Sequence, residues 1–188
     1  MNLKNLNTAE WFSLSRIITF PVVILLVLLE LRQATAWFYV VMFSTDFIDG
    51  FFAFFYNMEG KRRALLDSVG DILYLLAGLF GFYMFENEFF VQHIGWIVFV
   101  ALLYVTQLAV SLFKYGKPSF FHTYLAKIAT GFQVVFIGYM FFFEASALIF
   151  YLAVFFSFLE VVEEVIMVFN IKKWRANVKG IWDAVRKK

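Results

Sequence analysis

The sequence predicts an all-α integral membrane protein built as a bundle of six transmembrane helices. Three observations predict it. First, 63% of the 188 residues are hydrophobic and the mean hydropathy is +0.79, whereas a soluble domain is nearer half apolar. Second, apolar stretches recur near the roughly 20 residues that cross a bilayer as a helix. They are Ile17–Leu31, Ala34–Tyr56, Leu65–Phe85, Phe89–Phe113, Tyr124–Phe143 and Ala145–Ile171. Third, with the N-terminus inside, only Arg32 of the 16 basic residues falls on the outer side, a strong positive-inside asymmetry. The connections are too tight for a second folded domain, so residues 1–188 are expected to form a single membrane domain. Both termini are expected in the cytoplasm, with the chain multi-pass in a bacterial-type inner membrane.

The elements follow in order. Asn7 followed by Glu10 reads as a helix start, a capping residue with an acid three positions on. Either a short interfacial helix or an early start of the first span fits it. The first span is short, and Arg16 is expected to snorkel from its end. Ala34-Thr35-Ala36 resembles a signal-peptide cleavage site. The long polar lead carrying Glu10 argues against cleavage, which would also spoil the charge asymmetry. The second and third spans are joined by a basic loop, Asn57–Arg63. In the fourth, His93 lies on the outer side with no ligand-type neighbours. Lys127 lies just inside the fifth, at a depth comparable to Glu160, Glu163 and Glu164 in the sixth, so a Lys–Glu pair is the plain expectation. Lys114, Lys117 and His122 flank the loop between the fourth and fifth spans. The tail Lys172–Lys188 mixes basic residues with Trp174 and Trp182 and suits an anionic leaflet. Cysteine is absent, which excludes a disulfide framework. No nucleic-acid partner is expected.

Four acids stand out. Asp46 and Asp49 lie near the end of the second span, and Asp67 and Asp71 at the start of the third. A charge at mid-bilayer costs roughly 2.5–3.5 kcal/mol, and four would cost on the order of 10 kcal/mol. Spacings of three and four residues put each pair on one helix face. The spans run in opposite directions, so both pairs lie at similar depth near the cytoplasmic side. Small residues, Gly50 and Ala53, continue the first face and allow close approach. Hard carboxylate oxygens in such a pocket suit Mg²⁺, Mn²⁺ or Ca²⁺. A bound cation could hold a diphosphate and neutralise charge during phosphoryl transfer. The plainer reading is carboxylates satisfied by Lys or Arg from other helices.

The segment Asp46-Phe-Ile-Asp49-Gly50-Phe-Phe-Ala53, continued by Asp67-Ser-Val-Gly-Asp71, resembles the signature of the CDP-alcohol phosphatidyltransferase family. All four aspartates, the first glycine and the alanine match in register. Leu14-Ser15-Arg16 with Pro21 resembles the family's N-terminal entry, and His122 to Lys127 with Gly131 its fifth span. The resemblance implies a Mg²⁺- or Mn²⁺-dependent enzyme that transfers a phosphatidyl group from a CDP-linked lipid, usually CDP-diacylglycerol, to a small alcohol and releases CMP. It implies that Asp46, Asp49, Asp67 and Asp71 hold metal, and that Asp71 also deprotonates the attacking hydroxyl. Gly50 and Ala53 would leave room for the cytidine nucleotide. A homodimer is a further expectation, since many members of the family are dimers. Two positions depart from the pattern. Phe54 stands where the family has arginine, and Arg63 where it has glycine. The first removes a fixed cation; Arg62 or Arg63 could restore it from the loop. With Lys127, they are candidate contacts to a substrate phosphate.

Two other readings compete. Acids inside a bundle can line a divalent-cation pathway, but these sit toward one side with no matching site in the other half. Alternatively, Phe54 and Arg63 mark a catalytically altered or inactive member of the family.

Overall fold

The computed structural model describes residues 8–56, 61–116, 123–171 and 182. Within the helices, the side chains of residues 8–10, 12–13, 45–56, 61–65 and 67–68 lie outside the description. Six α-helices follow one another: α1 (Thr8–Leu28), α2 (Arg32–Tyr56), α3 (Lys61–Phe85), α4 (Asn87–Tyr115), α5 (Tyr124–Phe142) and α6 (Ala147–Asn170). The described residues contain no strand.

The boundaries have local causes. The first helix is continuous from Thr8 rather than broken into an interfacial piece and a span, and it carries Pro21 within it. It stops at Leu28, three residues short of the expected Leu31, because Glu30 turns into the left-handed region at φ 56°. Two bonds close that end: Glu30 N–H to the Val27 carbonyl and Leu31 N–H to the Leu26 carbonyl, both 3.0 Å. This is a Schellman closure with a glutamate where glycine is usual. The third helix begins at Lys61, so Lys61–Arg63 form its first turn instead of a loop. Helix α4 ends at Gly116, whose φ of 66° costs glycine little, with its N–H on the Leu112 carbonyl at 2.8 Å. Thr123 caps α5, its Oγ1 accepting the Ala126 N–H at 3.0 Å.

The chain forms two compact units. The first comprises residues 1–87 together with Ile137–Glu144, the end of α5. In it α1 packs on both α2 and α3. Val23, Val27, Ala36, Tyr39, Ala77, Phe82, Met140 and Phe141 are buried there. Phe141 meets the rings of Tyr39 and Phe85 edge-on, at 5.3 and 5.9 Å between centroids. Gly78 and Gly81 on α3 let α5 approach. A Cβ at Gly78 would stand 2.8 Å from Ile137 Cδ1, and one at Gly81 2.6 Å from Phe141 Cε1. Arg32, at the start of α2, donates to the carbonyls of Met140, Phe141 and Phe143 and pairs with Glu86. A cation there suits the negative end of α5's dipole.

The second unit comprises Glu88–Phe136 and residues 145–188. Phe132 and Phe156 stack at 4.6 Å, joining α5 to α6. Met167, Val168 and Ile171 are buried against Val110 and Tyr115. Lys114 Nζ donates to the carbonyls of Val168 and Phe169 at 2.7 and 3.1 Å, so it caps the C-terminal end of α6. His93 stacks on Phe89 and bonds that residue's carbonyl at 2.9 Å.

Large apolar residues remain exposed in helical rows, such as Val91, Ile94, Val98, Leu102 and Val105 on α4. Soluble monomers rarely expose such continuous stripes. Among the described residues, α4 and α5 are long and apolar enough to cross a membrane. The other helices do not show this. The apolar described stretches of α1 and α3 are Leu14–Leu28 and Val69–Phe85, both shorter. Much of α2 lies outside the description, and any 18-residue stretch of α6 includes Glu160, Glu163 and Glu164.

Candidate active site

The backbone of α2 is helical through Asp46, Asp49, Gly50, Phe54 and Ala53, and that of α3 through Arg62, Arg63, Asp67 and Asp71. The two acid pairs therefore keep the three- and four-residue helical spacing that places each on a single face. The side chains of Asp46, Asp49, Asp67, Ala53, Phe54, Arg62 and Arg63, and the surroundings of Gly50, lie outside the described residues. Among the described residues no three His, Asp or Glu side chains converge as a metal site; of the four aspartates, that set includes only Asp71.

Asp71 is held by Arg16. The Arg16 guanidinium donates through Nη1 to Asp71 Oδ1, across 55 residues of sequence. The arginine side chain is 4% exposed and the aspartate 57%. This corrects the expectation that Arg16 snorkels from a helix end. The helix starts at Thr8, so Arg16 sits in its body, and a carboxylate on the neighbouring helix satisfies it. The plainer reading of the acids, satisfaction by a cation from another helix, thus applies to Asp71. The contact continues one turn on, where Thr19 Oγ1 lies 3.4 Å from Tyr74 Oη. Thr19 also touches Met42 Sδ at 3.6 Å, on the stretch of α2 that leads to Asp46.

Gly70, beside Asp71, lies against the arginine. A Cβ there would stand 3.4 Å from both Arg16 Cβ and Nε. The sequence reading missed Arg16, Thr19 and Tyr74 as neighbours of the site. A charged residue inside an apolar helix was the available signal, since such residues seek a partner within the bundle.

The Lys127–Glu pair does not form. Lys127 is exposed and has no carboxylate partner among the described residues. Two of the three α6 glutamates, Glu160 and Glu164, accept from neutral donors instead. Tyr104 Oη donates to Glu160 Oε2 at 2.6 Å, and Gln107 Nε2 to Glu164 Oε2 at 2.6 Å. Gln133 extends the network, donating to Tyr104 Oη at 3.0 Å and to Ser157 Oγ at 2.7 Å. Neutral hydroxyl and amide donors fit a buried site where a lysine would have to shed its own water.

A helical chain with long apolar helices, exposed apolar faces and an acid motif spread over two consecutive helices is of the class of membrane-embedded lipid enzymes. The sequence pattern of the CDP-alcohol phosphatidyltransferase family matches residues 6–159, most of the chain, and the protein belongs to that family. The match takes in all four aspartates as well as Arg16. No curated protein and no solved structure matches the chain. Membership makes the protein a CDP-alcohol phosphotransferase of phospholipid synthesis, in a family that is membrane-embedded and generally uses divalent metal ions.

Proposed function

We propose that the protein transfers a phosphatidyl group from CDP-diacylglycerol to a small alcohol and releases CMP. The observation that carries this is the motif Asp46-x-x-Asp49-Gly50-x-x-Ala53 with Asp67 and Asp71, inside the stretch that matches the family. The whole chain acts as one domain of six spans with both termini cytoplasmic, in a bacterial-type cell membrane, either alone or as a homodimer. The donor set fits a hard divalent cation, since the motif offers carboxylate oxygens only. Asp46, Asp49, Asp67 and Asp71 would hold Mg²⁺ or Mn²⁺, which supplies charge neutralisation at the diphosphate. Gly50 and Ala53 leave space for the nucleotide. Asp71 takes the proton of the acceptor hydroxyl. The hydroxyl oxygen bonds to the phosphorus that carries diacylglycerol, the bond from that phosphorus to the CMP oxygen breaks, and CMP leaves. Arg62, Arg63 and Lys127 stand on cytoplasmic segments, where a substrate phosphate could meet them; an acceptor carrying its own phosphate, such as glycerol 3-phosphate, suits them best, with serine and inositol-type alcohols as the other candidates.

The test is CMP release and mass identification of the lipid formed by purified protein in CDP-diacylglycerol liposomes with a panel of alcohols. Turnover should stop in chelator. Asp46→Asn, Asp49→Asn and Asp67→Asn should each lose most activity while the protein remains folded. Full activity in chelator would rule out the acidic site. A second reading, a catalytically silent member, is favoured by Phe54 and Arg63 at departing positions. It predicts CDP-lipid binding without CMP release. Cation flux into liposomes without CMP release would instead point to transport.

A further inference from the structure

We propose that Arg16 is a positioning residue for the transfer reaction: it fixes the carboxylate of Asp71 from the neighbouring helix. The inference rests on the transferase reading of Asp71 and adds a residue outside the acid motif. Arg16 is buried in a stretch of α1 that carries no other charge from Trp11 to Leu28, a location that is costly unless the guanidinium is paired. Its partner is on α3, and that partner is more than half exposed. One carboxylate oxygen is therefore tied to the protein interior while the group as a whole still faces outward. A charge-assisted bond from a planar donor restricts a short side chain more than a neutral contact would.

Two further features support the assignment. Gly70 precedes Asp71 and lies against the arginine, where a Cβ would come within 3.4 Å of Arg16 Nε and 3.5 Å of Cζ. The gap has room for a Cβ in ordinary contact and for little more, so a larger side chain at position 70 would press on the guanidinium. The second feature is register. Arg16 meets Asp71, and three residues further along each helix Thr19 meets Tyr74. Equal steps in the same direction are what two parallel helices in fixed register give. The arrangement thus locks α1 to α3 along two successive turns, with Asp71 on the first.

The experiment compares Arg16→Gln, Arg16→Lys, Gly70→Val and Asp71→Asn in full-length protein in CDP-diacylglycerol liposomes. Folding is checked by monodisperse elution and by melting in chelator. Misplacing a reacting group by about 1 Å can cost on the order of 10²-fold. Arg16→Gln should lower kcat by about that factor while KM for CDP-diacylglycerol changes less than about threefold, the signature of an interaction that counts only in the transition state. Arg16→Lys should recover only part of the loss, because the ammonium keeps the charge and lacks the planar donor. Gly70→Val keeps both charges and displaces the guanidinium, so it should lower kcat in the same way even where Arg16→Gln fails to fold. The double variant Arg16→Gln with Asp71→Asn should be no slower than Asp71→Asn alone, because Arg16 acts through Asp71. The inference is overturned if folded Arg16→Gln or Gly70→Val keeps near-normal kcat, or if the double variant loses the product of the two single losses. An unmutated protein that releases no CMP with any alcohol overturns the transferase reading and this inference together; an active one with indifferent Arg16 and Gly70 variants overturns the inference alone.

Discussion

Replacing Gly81 by alanine should destabilise the protein, although alanine is the better helix former. The new Cβ would stand 2.6 Å from Phe141 Cε1 and 2.7 Å from Cζ. Ordinary contact begins at 3.4 Å, so the overlap is 3.4 − 2.6, or 0.8 Å. Phe141 has little room to retreat: it is 1% exposed and flanked by the rings of Tyr39 and Phe85. Overpacking of this kind costs about 1–3 kcal/mol, and an overlap this large belongs near the upper end. Alanine returns about 1 kcal/mol of helix propensity, leaving a net loss of about 2 kcal/mol. For a chain of this size that is a fall in Tm of about 4–8 °C. The control is Gly95→Ala on α4, where nothing lies within 4 Å; it should melt at or slightly above the unmutated protein. Thermal melting of the two variants in the same detergent, followed by tryptophan fluorescence, reads the difference. Adding Phe141→Leu to Gly81→Ala should recover part of the loss. The reasoning fails if Gly81→Ala melts as high as Gly95→Ala.

Two predictions concern the polar contacts elsewhere. Tyr104→Phe removes the donor to Glu160 and the acceptor of Gln133; with a buried carboxylate losing its hydroxyl, melting should fall by the equivalent of about 1–3 kcal/mol, while Thr106→Ala, whose exposed hydroxyl bonds only its own helix, should change little. Arg32→Ala removes the cap of α5 and the partner of Glu86, and should cost about 2 kcal/mol in the same melting assay, with Arg32→Lys recovering less than half because an ammonium does not reach three carbonyls as a planar fork does.

The number of helices and most of their limits were legible in the sequence because apolar run length is a strong one-dimensional signal. The errors fall where the signal is three-dimensional. Glu30 ends α1 early by adopting a positive φ, which no composition rule assigns to glutamate. Lys61–Arg63 look like a loop by charge, yet three long side chains are compatible with a first helical turn. The acid motif was legible as a spacing. The partner of Asp71 was not, because 55 residues separate it from Arg16 and no one-dimensional pattern fixes the relative depth of their two helices. The same holds for Glu160 and Glu164: charge arithmetic suggested a lysine, whereas packing supplied a tyrosine and a glutamine.

The division of α5 bears on how the protein is made. Residues up to Phe136 belong to one compact unit and Ile137–Glu144 to the other, whose remaining members all precede residue 88. A ribosome delivers the chain from its N-terminus at about 5–20 residues per second. Helices α1 to α3 therefore emerge several seconds before the segment that completes their core. Throughout that interval Gly78 and Gly81 face no ring or branched chain from α5, and Arg32 has none of its three carbonyls. The newborn N-terminal half lacks part of its core, and its completion is timed by the synthesis of a helix that also serves the later unit. A chain cut between residues 87 and 88 would carry that unfinished state permanently, and supplying the second fragment in the same membrane is the way to complete it.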